Sequence, residues 1–168
     1  MKIDILFLND EMNGHDEYFD NDLFQEYCET HSFEGKKNQI LSVPPSYSKS
    51  ENLTFIVGLG ENKEDINFYD LGTLIGSKIN SDAEIKFLNV VEDTNLIIDG
   101  ILYVQYKFNN YKSEDDSLVN NITFQDLDSS ENEIKKDSVF WVRDLINTPA
   151  LDKSCLLYTS PSPRDRTR

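Results

Sequence analysis

Strand-like and helix-like segments alternate along this sequence, and the alternation constrains the fold more than any other feature. Strands rich in β-branched and aromatic residues are predicted at residues 3–8, 39–43, 53–57, 84–88 and 121–125. Helices are predicted at residues 21–29, 65–79, 93–109 and 131–146. Such an order favours βαβ units, in which right-handed crossovers build a sheet covered on both faces. We therefore predict an α/β fold with a mostly parallel, mixed sheet flanked by helices.

Apolar residues in two of the predicted helices recur at the spacing of a single helical face. In the helix at 65–79 they are Phe68, Leu71, Ile75 and Ile79. In the last helix they are Val139, Val142 and Ile146. An apolar face of this kind normally packs against the core of the domain.

The charge balance excludes several classes of partner. The sequence has 31 acidic and 16 basic residues, a net charge of −15, which repels phosphate backbones and anionic membranes. No apolar run approaches the roughly 18 residues that cross a bilayer. An acid at position 4 interrupts the first apolar stretch, as a signal peptide would not. We expect a cytoplasmic protein that binds neither nucleic acid nor membrane.

The residues that usually carry catalysis or bind metals form no recognisable motif. Cys28 and Cys155 are far apart in sequence, and with His15 and His31 they do not give a zinc site or a disulfide scaffold. No serine or cysteine nucleophile has a histidine partner in a defined pattern. Cys28 is best interpreted as a small buried apolar residue. We predict no catalytic, cofactor-binding or metal-binding residue in this chain.

Glycines follow the clearest predicted strand and have two interpretations. Gly58 and Gly60 stand where a strand ends and a helix approaches, a position where backbone can bind phosphate. The third glycine of a dinucleotide fingerprint is missing, which favours a structural turn. Gly72 and Gly76 lie inside the next helix, where they favour close helix packing.

Four segments, in the same order, resemble the N-terminal domain of the leucyl aminopeptidase family. Two are short, a turn at residues 33–36 (FEGK) and a strand end at 55–60 (FIVGLG). A helix pattern at 99–112 and the segment 142–150 (VRDLINTPA) are more specific. The last of these resembles the junction between the family's N-terminal and peptidase domains. The similarity covers residues 30–153.

The resemblance implies a macro-domain-like N-terminal domain that is followed by a peptidase domain with two divalent metal ions, zinc or manganese. It also implies a homo-hexamer that releases N-terminal amino acids from peptides. The family's metal ligands, catalytic lysine and arginine, and bicarbonate site belong to the second domain, and none has a matching position here. No catalytic residue is therefore carried over, and the chain is expected to be inactive alone.

The same resemblance divides the chain into three parts. Residues 1–146 correspond to the N-terminal α/β domain, and residues 147–154 to the start of the linker toward a missing peptidase domain. Residues 155–168 depart from the family's pattern and change composition abruptly. Their sequence resembles one reading frame of a transposase-type sequencing adapter, so we expect a non-native tail.

The sequence is also compatible with two other functions. One is a stand-alone macro-type module that binds a nucleotide or ADP-ribose near Gly58 and Gly60. The other is a purely structural partner domain, which would have neither ligand nor activity.

Overall fold

A computed structural model describes residues 1–61, 66–108 and 120–149 of the chain. The strands are β1 (Lys2–Leu8), β2 (Ile40–Val43), β3 (Leu53–Gly58), β4 (Ala83–Phe87) and β5 (Ile122–Phe124). The helices are α1 (Asn21–Thr30), α2 (Phe68–Ser77), α3 (Thr94–Tyr103) and α4 (Ser130–Asn147), with a short 3-10 turn at Pro45–Tyr47. The predicted tail at 155–168 lies outside the described residues.

The described strands form one mixed sheet in the order β2-β3-β1-β4-β5. β1 pairs in parallel with β3 and β4, and β4 pairs in parallel with β5. Only the β2–β3 pair is antiparallel. The predicted fold class, a mostly parallel mixed sheet flanked by helices, is confirmed.

The central strand β1 is buried on both faces and divides the core into two clusters. Ile3, Ile5 and Phe7 point toward the face that α2 and α3 cover. Leu6 and Leu8 point toward the other face, where Phe24 and Cys28 of α1 cover part of the sheet. Helices on both faces explain why β1 is almost continuously apolar.

A side-chain cap marks the start of α2, and α3 ends earlier than predicted. The Asn67 side chain accepts hydrogen bonds from the N–H groups of Tyr69 and Asp70, as an N-cap does. The helix therefore begins at Phe68, later than the predicted residue 65. The third helix ends at Tyr103, earlier than the predicted residue 109, which itself lies outside the described residues.

Glycines let α2 and α3 approach each other closely. A Cβ atom on Gly72 would overlap the carbonyl oxygen of Ile97, and one on Gly100 would overlap that of Tyr69. A Cβ atom on Gly76 would lie 2.9 Å from the Cα of Ile101. The predicted packing role of Gly72 and Gly76 is therefore confirmed.

No helix in the described ranges is both long enough and apolar enough to cross a lipid bilayer.

Cys28 is buried in α1, as predicted, and this gives a test of the fold. Burial raises the pKa of its thiol to about 11. Because the thiolate is the reactive form, we expect Cys28 to react with Ellman's reagent at pH 8 about a hundredfold more slowly in the folded chain than in urea. A Cys155→Ser variant isolates the Cys28 signal. Equal rates in buffer and in urea would contradict the burial.

The same pKa shift has a consequence for stability. The unfolded thiol ionises near its ordinary pKa of about 8.5, whereas the folded thiol stays protonated up to about pH 11. The contribution of Cys28 to stability is therefore complete below about pH 8.5, and it falls as the pH rises toward 11. Unfolding curves of Cys28→Ala and wild type should converge over this range.

Candidate functional site

The glycine-containing segment at residues 58–60 begins at the last residue of β3, and its backbone N–H donors are occupied. Its three N–H groups donate in turn to the carbonyl oxygens of Gln39, Leu8 and Gly35, at 2.8, 2.8 and 2.9 Å. A phosphate cradle needs such N–H groups to point at the ligand. The geometry therefore favours the structural-turn interpretation of these glycines.

Close packing explains why the segments at 33–36 and 55–60 occur together. A Cβ atom on Gly58 would overlap the carbonyl oxygen of Lys36 and would lie 2.7 Å from the carbonyl carbon of Gly35. Gly60 has a φ of +73°, a conformation that favours glycine. These two segments, which carry part of the family resemblance, thus form one packed turn.

Replacing Gly58 with alanine tests this packing. We expect Gly58→Ala to lower the free energy of unfolding by about 2–3 kcal/mol, because the backbone of residues 35–36 must move. Gly14→Ala is the matched control, since Gly14 has a positive φ but no atom within 4 Å of a Cβ. It should cost only about 1 kcal/mol of backbone strain. Equal urea midpoints for the two variants would contradict the packing role.

A cavity of about 480 Å³ lies beside Gly60, at the carboxyl ends of β1 and β3. Its charged lining includes Lys36 and Lys37, together with the acids Asp10, Glu34 and Glu61. Lys36 forms an ion pair with Glu34, and this hydrogen bond raises the pKa of Lys36. The mixture of charges gives no net attraction for a polyanion.

The last helix, α4, is held to the end of α3 by a polar cluster. The Arg143 guanidinium donates to the carbonyl of Tyr103 at 2.9 Å, and it lies over the Tyr106 ring at 5.3 Å. The Tyr106 hydroxyl donates to Asp144 at 2.9 Å and accepts from Asn147 at 3.1 Å. Burial of this hydroxyl raises the pKa of Tyr106. Arg143, Asp144 and Asn147, which belong to the segment 142–150, therefore hold α4 against the end of α3.

A buried pair of polar side chains holds the other end of α4. Asn132, 3% exposed, donates to the Asp99 carboxylate at 2.7 Å and to the Asn95 carbonyl at 3.1 Å. Asp99 is itself only 8% exposed. Together with the cluster around Tyr106, this contact fixes the rotation of α4 about its axis.

The opposite side of α4 carries large apolar side chains in solvent. Ile134 is 68% exposed, Trp141 64%, Val142 47% and Ile146 71%. At 100° per residue these side chains lie within an arc of roughly 140°. Val142 and Ile146 are exposed because the polar residues of α4 face α3 instead. This outer face is a candidate interaction surface.

The described residues contain no group of three or more His, Cys, Asp or Glu side chains that could hold a metal ion. His15 lies against Phe24 and His31 against Tyr27, so the two histidines belong to different ring contacts. Neither the outer face of α4 nor the polar surroundings of Asp4 were predicted from the sequence. The sequence signal for the polar surroundings of Asp4 was the acid itself, inside the first apolar stretch.

Solved structures with similar folds include a mutant of tomato leucine aminopeptidase, with a TM-score of 0.63 at 14% identity. The match covers 94% of this chain and 37% of that one. The bottromycin maturation enzyme BotP in complex with Mn gives a TM-score of 0.60 at 13% identity, covering 89% of this chain and 32% of BotP. A second BotP structure gives 0.61 at 12% identity, covering 89% and 33%.

These matches show that the fold is similar to part of leucine aminopeptidase and part of BotP. The chain spans about a third of the length of the structures that it matches. No protein-family model matches the sequence, and no curated protein does. At this level of identity the likeness concerns the fold alone.

Proposed function

We propose that residues 1–154 are the non-catalytic N-terminal domain of a cytoplasmic two-metal leucyl aminopeptidase. The parent enzyme would release N-terminal amino acids from peptides, and this domain would help to assemble its hexamer and shape access to the active site. The fold and the four resembling segments support the proposal. The metal ions, zinc or manganese, would be held by the peptidase domain, as the family resemblance implies.

The observation that carries the proposal is the outer face of α4. Polar contacts to Asp99 and Tyr106 fix the inner side of the helix, so Trp141 and Ile146 are presented outward. The helix ends at Asn147, within the segment 142–150 that resembles the family's domain junction. An exposed apolar face of this size commonly marks an interaction site. We assign it to contact with the peptidase domain that would follow.

Genomic sequencing, peptidase assays and a sedimentation measurement test the proposal. Genomic DNA beyond the codon for Ser154 should continue in frame into a peptidase domain, and the protein it encodes should hydrolyse leucine p-nitroanilide with Mn²⁺ or Zn²⁺. A Trp141→Glu/Ile146→Glu variant of that protein should lose assembly in sedimentation measurements. Purified 1–168 should show no hydrolysis above the blank under the same conditions. Hydrolysis by 1–168, or a frame encoding no peptidase, would refute the proposal.

The runner-up is a macro-type module that binds a nucleotide or ADP-ribose. The cavity beside Gly60 favours it, because ligands of open α/β folds bind at the carboxyl ends of strands. It ranks second because the backbone N–H groups of residues 58–60 already donate to carbonyl oxygens of the chain and do not point at a ligand. Micromolar ADP-ribose binding in calorimetry that Gly60→Glu abolishes would reverse this ranking.

A further inference from the structure

A second cavity, of about 350 Å³, opens on the sheet face that α1 covers only in part. Its lining is both polar and apolar, and the polar residues include Asp4, Glu17, Tyr18, Lys49, Thr54 and Lys86. Asp4, Thr54 and Lys86 come from adjacent strands and are aligned in register across β3, β1 and β4. The cavity is separate from the outer face of α4 and from the turn at Gly60.

Asp4 is a buried carboxylate without a positive partner. It is 3% exposed, and it accepts hydrogen bonds from the Ser50 hydroxyl at 2.5 Å and the Asn52 amide at 3.2 Å. No lysine or arginine in the described ranges forms an ion pair with it. Buried charges in proteins are normally paired with an opposite charge. Asp4 is therefore a charged acceptor that a ligand with N–H donors could use.

Thr54, the neighbour of Asp4 on β3, has an unused hydroxyl. Its side-chain oxygen is buried and has no hydrogen-bond partner among the described residues, and the residue is 1% exposed. An unpaired buried hydroxyl costs free energy unless a partner reaches it. A group with N–H donors between Thr54 and Asp4 would satisfy both side chains.

Lys86, the neighbour of Asp4 on β4, supplies a positive charge on the other side. It is half-buried and forms no ion pair with the described residues. Lys49 differs, because its ammonium donates to the Asp16 carbonyl at 2.6 Å. The Tyr18 hydroxyl likewise donates to the Leu88 carbonyl at 3.0 Å. Of the two lysines that line the cavity, Lys86 is the one whose ammonium makes no hydrogen bond to the described residues.

We propose that this cavity binds a free α-amino acid. The ammonium group of the ligand contacts Asp4 and Thr54, and its carboxylate contacts Lys86. Neighbouring strands are about 4.8 Å apart, so Asp4 and Lys86 project from adjacent backbone positions on the same face of the sheet. An α-amino acid carries its two charges on one carbon, which matches this spacing. The proposal goes beyond the aminopeptidase assignment and does not depend on it.

Calorimetry on the 1–168 chain tests the site with three probes. L-leucine carries both charges, leucinamide only the ammonium and 4-methylpentanoate only the carboxylate. We expect leucine to bind and each analogue to bind at least about tenfold more weakly. Lack of leucine binding, or equal affinity for leucine and leucinamide, would overturn the proposal.

Two variants assign the contacts. Lys86→Met should weaken leucine binding by about tenfold or more and remove the preference for leucine over leucinamide. Lys78→Met, a matched change at an exposed lysine at the end of α2, should leave leucine binding unchanged. Thermal melts followed by circular dichroism establish that both variants are folded. Unaltered leucine binding in Lys86→Met would refute the site, whatever the outcome of the peptidase assay.

Discussion

Gly72→Ala is expected to lower the free energy of unfolding by about 3 kcal/mol or more. The added methyl group would overlap the carbonyl oxygen of Ile97 in α3, and a backbone atom cannot move aside as a flexible side chain can. Overpacking in a core commonly costs 1–3 kcal/mol, and this contact joins two helix backbones. Because α2 and α3 together cover one face of the sheet, separating them also exposes the larger core cluster. Urea denaturation followed by circular dichroism measures the loss.

The control for this prediction is Ser77→Ala, on the exposed side of the same helix. Both substitutions end in alanine, so differences in helix propensity do not explain a loss. If anything, alanine raises the propensity of a glycine position by about 1 kcal/mol. Ser77→Ala should stay within about 0.5 kcal/mol of wild type. A Gly72→Ala protein as stable as Ser77→Ala would show that α2 and α3 are not in close contact.

Asn132→Ala is expected to be the next most harmful change, at about 2–3 kcal/mol. It removes the amide that donates to the Asp99 carboxylate at 2.7 Å. The carboxylate would then be left buried without this donor, and an unsatisfied charged group costs more than the lost hydrogen bond itself. The free energy of unfolding from urea titration gives the magnitude.

A double-mutant cycle separates this effect from general loss of packing. Asp99→Ala removes the charge, so Asn132→Ala should cost much less in that background than in wild type. A coupling of about 1–2 kcal/mol between the two positions is expected. Additive losses would mean that the two side chains do not interact. The contact between Asn132 and Asp99 would then not fix the rotation of α4.

The orientation of α4 matters because the aminopeptidase proposal rests on its outer face. Arg143, Asp144 and Asn147 belong to the segment that most resembles the family's domain junction, yet all three contact the end of α3. Their contacts explain why such a segment would be polar on one side. Trp141 and Ile146 then remain for a partner.

Much of the secondary structure could be predicted from local pattern. The strand predicted at 53–57 is observed at Leu53–Gly58, and the helix predicted at 131–146 is observed at Ser130–Asn147. The packing role of Gly72 was also predictable, since a glycine inside an apolar helix has few other uses. The start of α2 was predicted at residue 65, whereas the helix begins at Phe68, directly after its N-cap residue Asn67.

The candidate sites were much less accessible to sequence reasoning. Apolar spacing in α4 places Val142 and Ile146 on one face, but it does not show that this face is exposed. Periodicity shows which residues share a face, whereas burial depends on what packs against that face. Asp4 was visible as an acid in an apolar strand. Its donors on Ser50 and Asn52 come from a loop more than forty residues away in sequence.

The sequence by itself determined the alternation of strands and helices, the α/β class, and the strongly acidic character of the protein. These properties depend on neighbouring residues and on composition. The tertiary structure alone decided the strand order, the outward face of α4, and the alignment of Asp4 with Thr54 and Lys86. These three features arise from contacts between residues that are distant along the chain. The pairing of strands and the packing of helices decide which of those side chains meet.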